Sequence, residues 1–271
     1  MFIKIIKYLI FGLVQGLTEP LPISSSGHLV LAKYLLNTDA FDDLTFEIFL
    51  NFASFLAIFF IFRKEIISII KSFLTYVFKK DKRDNKTKSE FKYALLVVVG
   101  SIPAAIGGFL LKDYLETKLG ENIKLLGVAF LITAILLFIV RKMKGKKKDD
   151  DITYFDAIIV GLFEMAALIP GISRSGACLV GCLLMGLERD CALKYTFMLY
   201  LPVSLGSMAL SIKDLMTIDN NLIIPYAIGF IASAVMTYFA SLWYFDIVKR
   251  GRLAKFSIYL FLLGLAIIIF I

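Results

Sequence analysis

The sequence predicts an all-α polytopic membrane protein, with six spanning helices and two opposed re-entrant helix–loop–helix hairpins arranged as an inverted-topology repeat. Three observations predict it. The 271 residues are 59% hydrophobic, with a mean hydropathy of +0.82, more than a soluble core needs. Six apolar stretches are long enough to cross a bilayer, which takes about 20 residues. Two further apolar regions are each broken near the middle by a Ser/Gly/Pro loop, and the loops repeat one another.

Region 2–36 comes first. It is apolar on both sides of the run Pro22-Ile23-Ser24-Ser25-Ser26-Gly27-His28. Irregular backbone at membrane depth is tolerated only when it is buried in protein or lines a wet cavity. The region therefore reads as a hairpin that enters and leaves on one side. No small-residue cleavage site follows its first apolar run, so no cleaved signal peptide is expected. Residues 44–62 form the first span. An interfacial helix and a charged loop occupy 65–88, and spans follow at 91–111 and 123–141. Region 152–187 is the second hairpin, built around Pro170-Gly171-Ile172-Ser173-Arg174-Ser175-Gly176. Spans at 192–212, 222–245 and 255–271 complete the set. The chain reads as one domain, 1–271, with repeat 1 over about 1–111 and repeat 2 over about 152–247.

The net charge of +8 suggests a nucleic-acid partner until it is mapped. Segments 63–92, 141–151, 188–194 and 246–255 carry 22 Lys and Arg, whereas 1–8, 37–47, 112–124 and 213–221 carry 6. The positive-inside rule places the first set in the cytoplasm, both termini outside, and anionic lipid opposite the charge in place of nucleic acid. The first hairpin then enters from outside and the second from the cytoplasm, as inverted repeats require. At a constant offset of 149, Gly12 pairs with Gly161, Leu13 with Leu162, Ile23 with Ile172, Ser24 with Ser173, Ser26 with Ser175 and Gly27 with Gly176. A weaker echo relates Ile102-Pro103 and Gly107 to Leu201-Pro202 and Gly206.

Each loop releases into a helix that opens on serines. Serine is a strong N-cap, and a helix N-terminus offers unpaired N–H groups and a positive dipole end. Two such ends facing each other make an anion site, and Arg174 adds a planar fork suited to phosphate. The competing reading is that the serines only cap and the glycines only permit close packing. Gln15 and Glu19 lie one turn apart on a shared face, and Glu164 is the repeat partner of Gln15. An intramembrane Glu serves as a proton relay, a structural hydrogen-bonder or a cation ligand. His28, the only histidine, falls in the first turn after the serines. There it takes up a phosphoryl group, acts as acid or base for Ser25 or water, or bonds a backbone carbonyl. Cys178 and Cys182 are a turn apart, but third and fourth ligands are missing nearby, so these and Cys191 read as small apolar residues rather than a metal site.

Gln15-x-x-x-Glu19, the following Pro-x-Ser-Ser-Ser-Gly-His and Pro170-Gly171-Ile172-Ser173-Arg174-Ser175 resemble the two motifs of the integral-membrane undecaprenyl-diphosphatases, the bacitracin-resistance phosphatases. The likeness covers essentially the whole chain. It implies a plasma-membrane hydrolase that takes the terminal phosphate from undecaprenyl or another polyprenyl diphosphate, recycling the lipid carrier for cell-wall polymers. It also implies a site open toward the outer face, and a divalent cation, Mg2+ or Ca2+. By this resemblance the candidate catalytic residues are Glu19, Ser25, His28 and Arg174. The candidate substrate-binding residues are Gln15, Ser24, Ser26, Gly27, Glu164, Ser173, Ser175 and Gly176. Glu19, together with Glu164, is the candidate cation ligand.

Two positions depart from the family pattern. Gln15 stands where Glu is frequent and Glu164 where Gln is usual, as if one carboxylate had moved between loops. Cys178 stands where Thr usually ends the second motif, which puts a hydroxyl contact to phosphate in doubt. Type-2 phosphatidic acid phosphatases share Ser-Gly-His and Ser-Arg elements but need a second histidine, which this chain lacks. The alternative class is a secondary transporter or lipid-carrier translocase on the same inverted repeat. A homodimer stays open, as do prenyl chain length and the choice of Ser25 or His28 as nucleophile.

Overall fold

Helix dominates because apolar segments in a bilayer must satisfy their own backbone hydrogen bonds. The computed structural model describes residues 2–36, 44–114, 123–210 and 220–271. Among these residues it contains eleven α-helices and no strand. In chain order they are α1 (Phe2–Thr18), α2 (Ser25–Leu36), α3 (Leu44–Ile61), α4 (Arg63–Phe78), α5 (Asn85–Tyr114) and α6 (Ile123–Val140). Then follow α7 (Tyr154–Ala166), α8 (Arg174–Leu184), α9 (Arg189–Leu210), α10 (Ile223–Lys249) and α11 (Ala254–Phe270).

Three of these, over Asn85–Leu110, Ile123–Val140 and Ile223–Lys249, are long and apolar enough to cross a membrane. The apolar stretches in α3 and α11 are shorter. α9 carries Arg189, Asp190 and Lys194 in its opening turns. Both regions expected to break in the middle do so: residues 19–24 separate α1 from α2, and 167–173 separate α7 from α8. The segment 65–88 differs from expectation at its end. The helix α4 and a short 3-10 turn at Lys80–Lys82 are followed by α5, which already begins at Asn85. The reason is local: the Asp84 carboxylate accepts the backbone N–H of Thr87 at 2.7 Å, which starts the helix ahead of the apolar run.

Helix pairing rests on close backbone approach. A Cβ added at Gly12 on α1 would lie 2.2 Å from the carbonyl oxygen of Gly229 on α10. One added at Gly161 on α7 would lie 2.1 Å from the carbonyl oxygen of Gly100 on α5. Only glycine permits either contact, as in many membrane helix pairs. α6 and α11 also pack together, with Gly127 and Gly264 facing each other's carbonyl oxygens. Where α3 meets α10, the buried hydroxyls satisfy one another: Thr237 Oγ1 donates to Ser54 Oγ at 2.8 Å, and Ser233 Oγ donates to the Leu50 carbonyl at 3.0 Å. The apolar core between helices is filled by Phe11, Phe46, Phe130, Tyr195 and Tyr244.

Candidate active site

The two broken segments present matching helix starts. Ser24 caps α2, its hydroxyl accepting from the Gly27 N–H at 3.3 Å. Ser173 caps α8 by accepting from the Gly176 N–H at 3.1 Å. Each cap hydroxyl lies beside the serine two positions on, Ser24 to Ser26 at 3.4 Å and Ser173 to Ser175 at 3.2 Å. The four serines and two glycines are the repeat-related positions, and both loops reproduce one hydrogen-bond pattern. Ser24 and Ser173 are buried, with hydroxyls engaged in capping, whereas Ser25, Ser26, Arg174 and Ser175 are half-buried.

Ser24 has φ of 69°, among the described residues the one non-glycine in the left-handed region. Such a residue costs about 1–2 kcal/mol and must be held by its surroundings. It is held at both ends. Its hydroxyl caps the helix, and its carbonyl accepts the backbone N–H of His28 at 3.2 Å and His28 Nδ1–H at 2.7 Å.

The loops touch. Arg174 reaches from the second to the first, placing Nη2 2.5 Å from Glu19 Oε1, and Ser175 Oγ donates to the Leu21 carbonyl at 2.7 Å. Glu19 is the hub. Its Oε2 accepts from Ser25 Oγ in a short bond and from Gln15 Nε2 at 2.9 Å. Its Oε1 accepts from Arg174 and from Asn51 Nδ2 at 3.2 Å. A carboxylate with a serine hydroxyl on one oxygen and a guanidinium on the other is placed to take the serine's proton.

Helices on either side hold this hub. On one side Tyr200 of α9 donates to the carbonyl of Asn51 on α3 at 2.9 Å, and Ser204 Oγ donates to Asn51 Oδ1 at 2.7 Å. The Arg174 guanidinium lies over the Tyr200 ring, 4.3 Å from its centroid. Asn51 and Tyr200 are themselves 149 positions apart, the same offset that separates the two loops. On the other side α6 touches both loops: Thr133 Oγ1 accepts the Ser173 N–H at 3.4 Å, and the Phe130 ring lies 5.3 Å from that of His28. A small cavity of about 10 Å3 lies between Glu19, Arg174, Ser175 and Tyr200.

Gln15, Glu19, Ser25 and Arg174 are thus brought together. His28 bonds elsewhere, with Nε2 2.8 Å from the hydroxyl of Tyr259 on α11. Glu164 is not among the groups bonded to Glu19. It is 1% exposed, and both its oxygens lack a hydrogen-bond partner among the described residues. Its repeat mate Gln15 has a bonded amide but an equally unpartnered Oε1. Sequence reasoning missed Asn51, Thr133, Tyr200, Ser204 and Tyr259. Asn51 carried a signal, as a polar residue inside an apolar span. The hydroxyl residues carried none, because such residues are ordinary in membrane helices.

Residues 8–266 match the family model "Bacitracin resistance protein BacA". The chain is 45% identical to undecaprenyl-diphosphatase 1 of Bacillus cereus, over 100% of this chain and 99% of the relative. It is 40% identical to undecaprenyl-diphosphatase 1 of Bacillus licheniformis, over 99% of each. It is also 41% identical to the undecaprenyl-diphosphatase of Oceanobacillus iheyensis, over 100% of this chain and 98% of the relative. On a match that spans nearly its full length, the chain belongs to the BacA bacitracin resistance family.

Proposed function

We propose that this protein hydrolyses undecaprenyl diphosphate to the monophosphate and inorganic phosphate, through a site shared by its two Ser-Gly loops. The observation that carries the reading is the continuous link Ser25–Glu19–Arg174, which joins a nucleophile, a base and an anion-binding fork across both loops. In this mechanism the terminal phosphate displaces Glu19 from Arg174, because the cavity beside them is too small to take it otherwise. Arg174 and the two helix N-termini offset the charge of the transferring group. Ser25 Oγ forms the bond to phosphorus as its proton passes to Glu19. The P–O bond to the lipid phosphate breaks and undecaprenyl phosphate leaves. Glu19 passes that proton to the departing lipid phosphate, and water then attacks the seryl phosphate, its proton moving to Glu19 and on to Ser25 Oγ as the Oγ–P bond breaks and inorganic phosphate leaves. Ser26, Gly27, Ser175 and Gly176 line the helix ends, while Ser24 and Ser173 shape them.

A divalent cation belongs to the same proposal. Among the described residues there is no cluster of three or more ligating side chains, and Glu19 is the one carboxylate bonded to the Ser-rich loop. Mg2+ is commonly held by one or two carboxylates plus substrate phosphates. Glu19 and the diphosphate oxygens would hold the ion, which would add positive charge against the diphosphate.

The architecture proposed around this site is an inverted repeat of six spans and two re-entrant hairpins in the plasma membrane, with termini and site toward the outer face. The matching caps, the pairing of Asn51 with Tyr200, and the corresponding glycine contacts of α1 and α7 support the repeat. The Lys and Arg asymmetry supports the orientation. The test uses purified protein with undecaprenyl diphosphate, following phosphate release. Glu19→Gln, Ser25→Ala and Arg174→Ala are each expected to lose at least a hundredfold in turnover. Near-normal turnover in all three would reject the site.

A further inference from the structure

Resting on that reading of the site, we propose that Tyr259 is a positioning residue. It stabilises the His28 tautomer that the Ser24 carbonyl requires, and through His28 it holds the left-handed Ser24 that aims Ser25 at Glu19. The argument begins at the ring. His28 Nδ1 lies 2.7 Å from the Ser24 carbonyl oxygen. A carbonyl only accepts, so Nδ1 carries the proton. In the neutral ring Nε2 is then an acceptor, and the Tyr259 hydroxyl, 2.8 Å away, donates to it. The two rings are stacked, with centroids 5.7 Å apart and planes at 16°. Phe130 closes a further side. His28 is 9% exposed. Both nitrogens are therefore committed, and no lone pair remains to attack phosphorus. This leaves the attack to Ser25.

The consequence reaches the loop. The Ser24 carbonyl that receives Nδ1–H belongs to the residue held at φ 69°, directly before Ser25. If the proton moved to Nε2, two lone pairs would face each other across 2.7 Å and the clamp would open. The Ser24 carbonyl, which only accepts, requires the Nδ1–H tautomer, and Tyr259 adds to its stability by supplying Nε2 with a donor. A distant helix, α11, thus sets the direction of a hydroxyl on α2.

The chain has one histidine, so isotope-labelled histidine gives a single ring to observe by 15N NMR in detergent micelles. In wild type the ring is expected neutral with its proton on Nδ1. In Tyr259→Phe the Nε2–H form is expected to gain population, and kcat to fall about three- to tenfold, the effect of one lost hydrogen bond, with KM little changed. A neighbouring change that leaves this contact intact, Ile258→Leu, is expected to alter neither. A wild-type ring protonated on Nε2 would overturn the proposal whether or not Tyr259→Phe folds. So would a fall in kcat with an unchanged ring spectrum. If the tautomer shifts in Tyr259→Phe and turnover does not, the clamp stands and the assignment of Ser25 to the reaction fails.

Discussion

Removing the guanidinium of Arg174 while keeping its bulk tests whether the two loops are held by charge or by shape. In Arg174→Met, Glu19 loses its 2.5 Å partner but keeps Ser25, Gln15 at 2.9 Å and Asn51 at 3.2 Å. The Glu19 side chain is 5% exposed and that of Arg174 25%. Deleting one member of a buried pair costs about 3–5 kcal/mol. The partial exposure of Arg174 and the three surviving donors on Glu19 place the value near the low end, about 3 kcal/mol. For a chain of this size that lowers the melting temperature by about 6–12 °C. Glu19→Gln strands Arg174 in turn and is expected to cost a similar amount. The double variant leaves no uncompensated charge, so it is expected to recover about 2 kcal/mol relative to the sum of the singles. Unfolding in detergent, followed through the single tryptophan Trp243, measures all four proteins. Phosphate release provides the second axis: it is expected to stay at least a hundredfold low in the double variant, because Arg174 acts on the substrate. Single effects that add within about 0.5 kcal/mol would refute the coupling, and recovered turnover in the double variant would refute the role on phosphate.

Gly161→Ala pushes a methyl against the Gly100 carbonyl, a backbone atom that cannot swing aside, and is expected to destabilise by about 1–3 kcal/mol in thermal unfolding. Gly108→Ala in α5, which meets nothing within 4 Å, is expected to be neutral or mildly stabilising. Gln15→Glu places a second carboxylate beside Glu19 and removes a 2.9 Å donor, so turnover is expected to fall. Adding Glu164→Gln is expected to restore part of it, and two harmful singles that simply add would show that no charge has been exchanged. Chelation with EDTA is expected to stop phosphate release and added Mg2+ or Ca2+ to restore it, whereas unchanged release under EDTA would remove the cation from the mechanism.

The site was legible in the sequence to the extent that it depends on helix starts. Ser, Gly and Pro break apolar runs for reasons that act within a few residues, so both loops, both caps and the adjacency of Gln15 to Glu19 follow from spacing alone. Contacts between distant helices were not legible. Nothing in the letters around Tyr259 distinguishes it from other tyrosines in apolar spans, and its role appears only when α11 is laid against α2. The fate of His28 shows the same limit: its isolation marked it as functional, but whether its ring faces a substrate or a tyrosine is a matter of tertiary packing. The start of α5 at Asn85 was missed because one capping carboxylate outweighed the charged character of the segment.

The glycine contacts bear on how the protein is made. α1 is synthesised first, yet the backbone it must touch, at Gly229, lies on α10, near the end of the chain. Until α10 inserts, the Gly12 face of α1 has only lipid beside it. α7 meets its partner α5 much sooner, because α5 is already in place. Maturation is therefore asymmetric despite the similarity of the two halves. The α7 pairing can form while the chain is being made, and the α1 pairing only after α10 has inserted. A nascent chain stalled before α10 would carry both loops but lack the glycine pairing that seats α1.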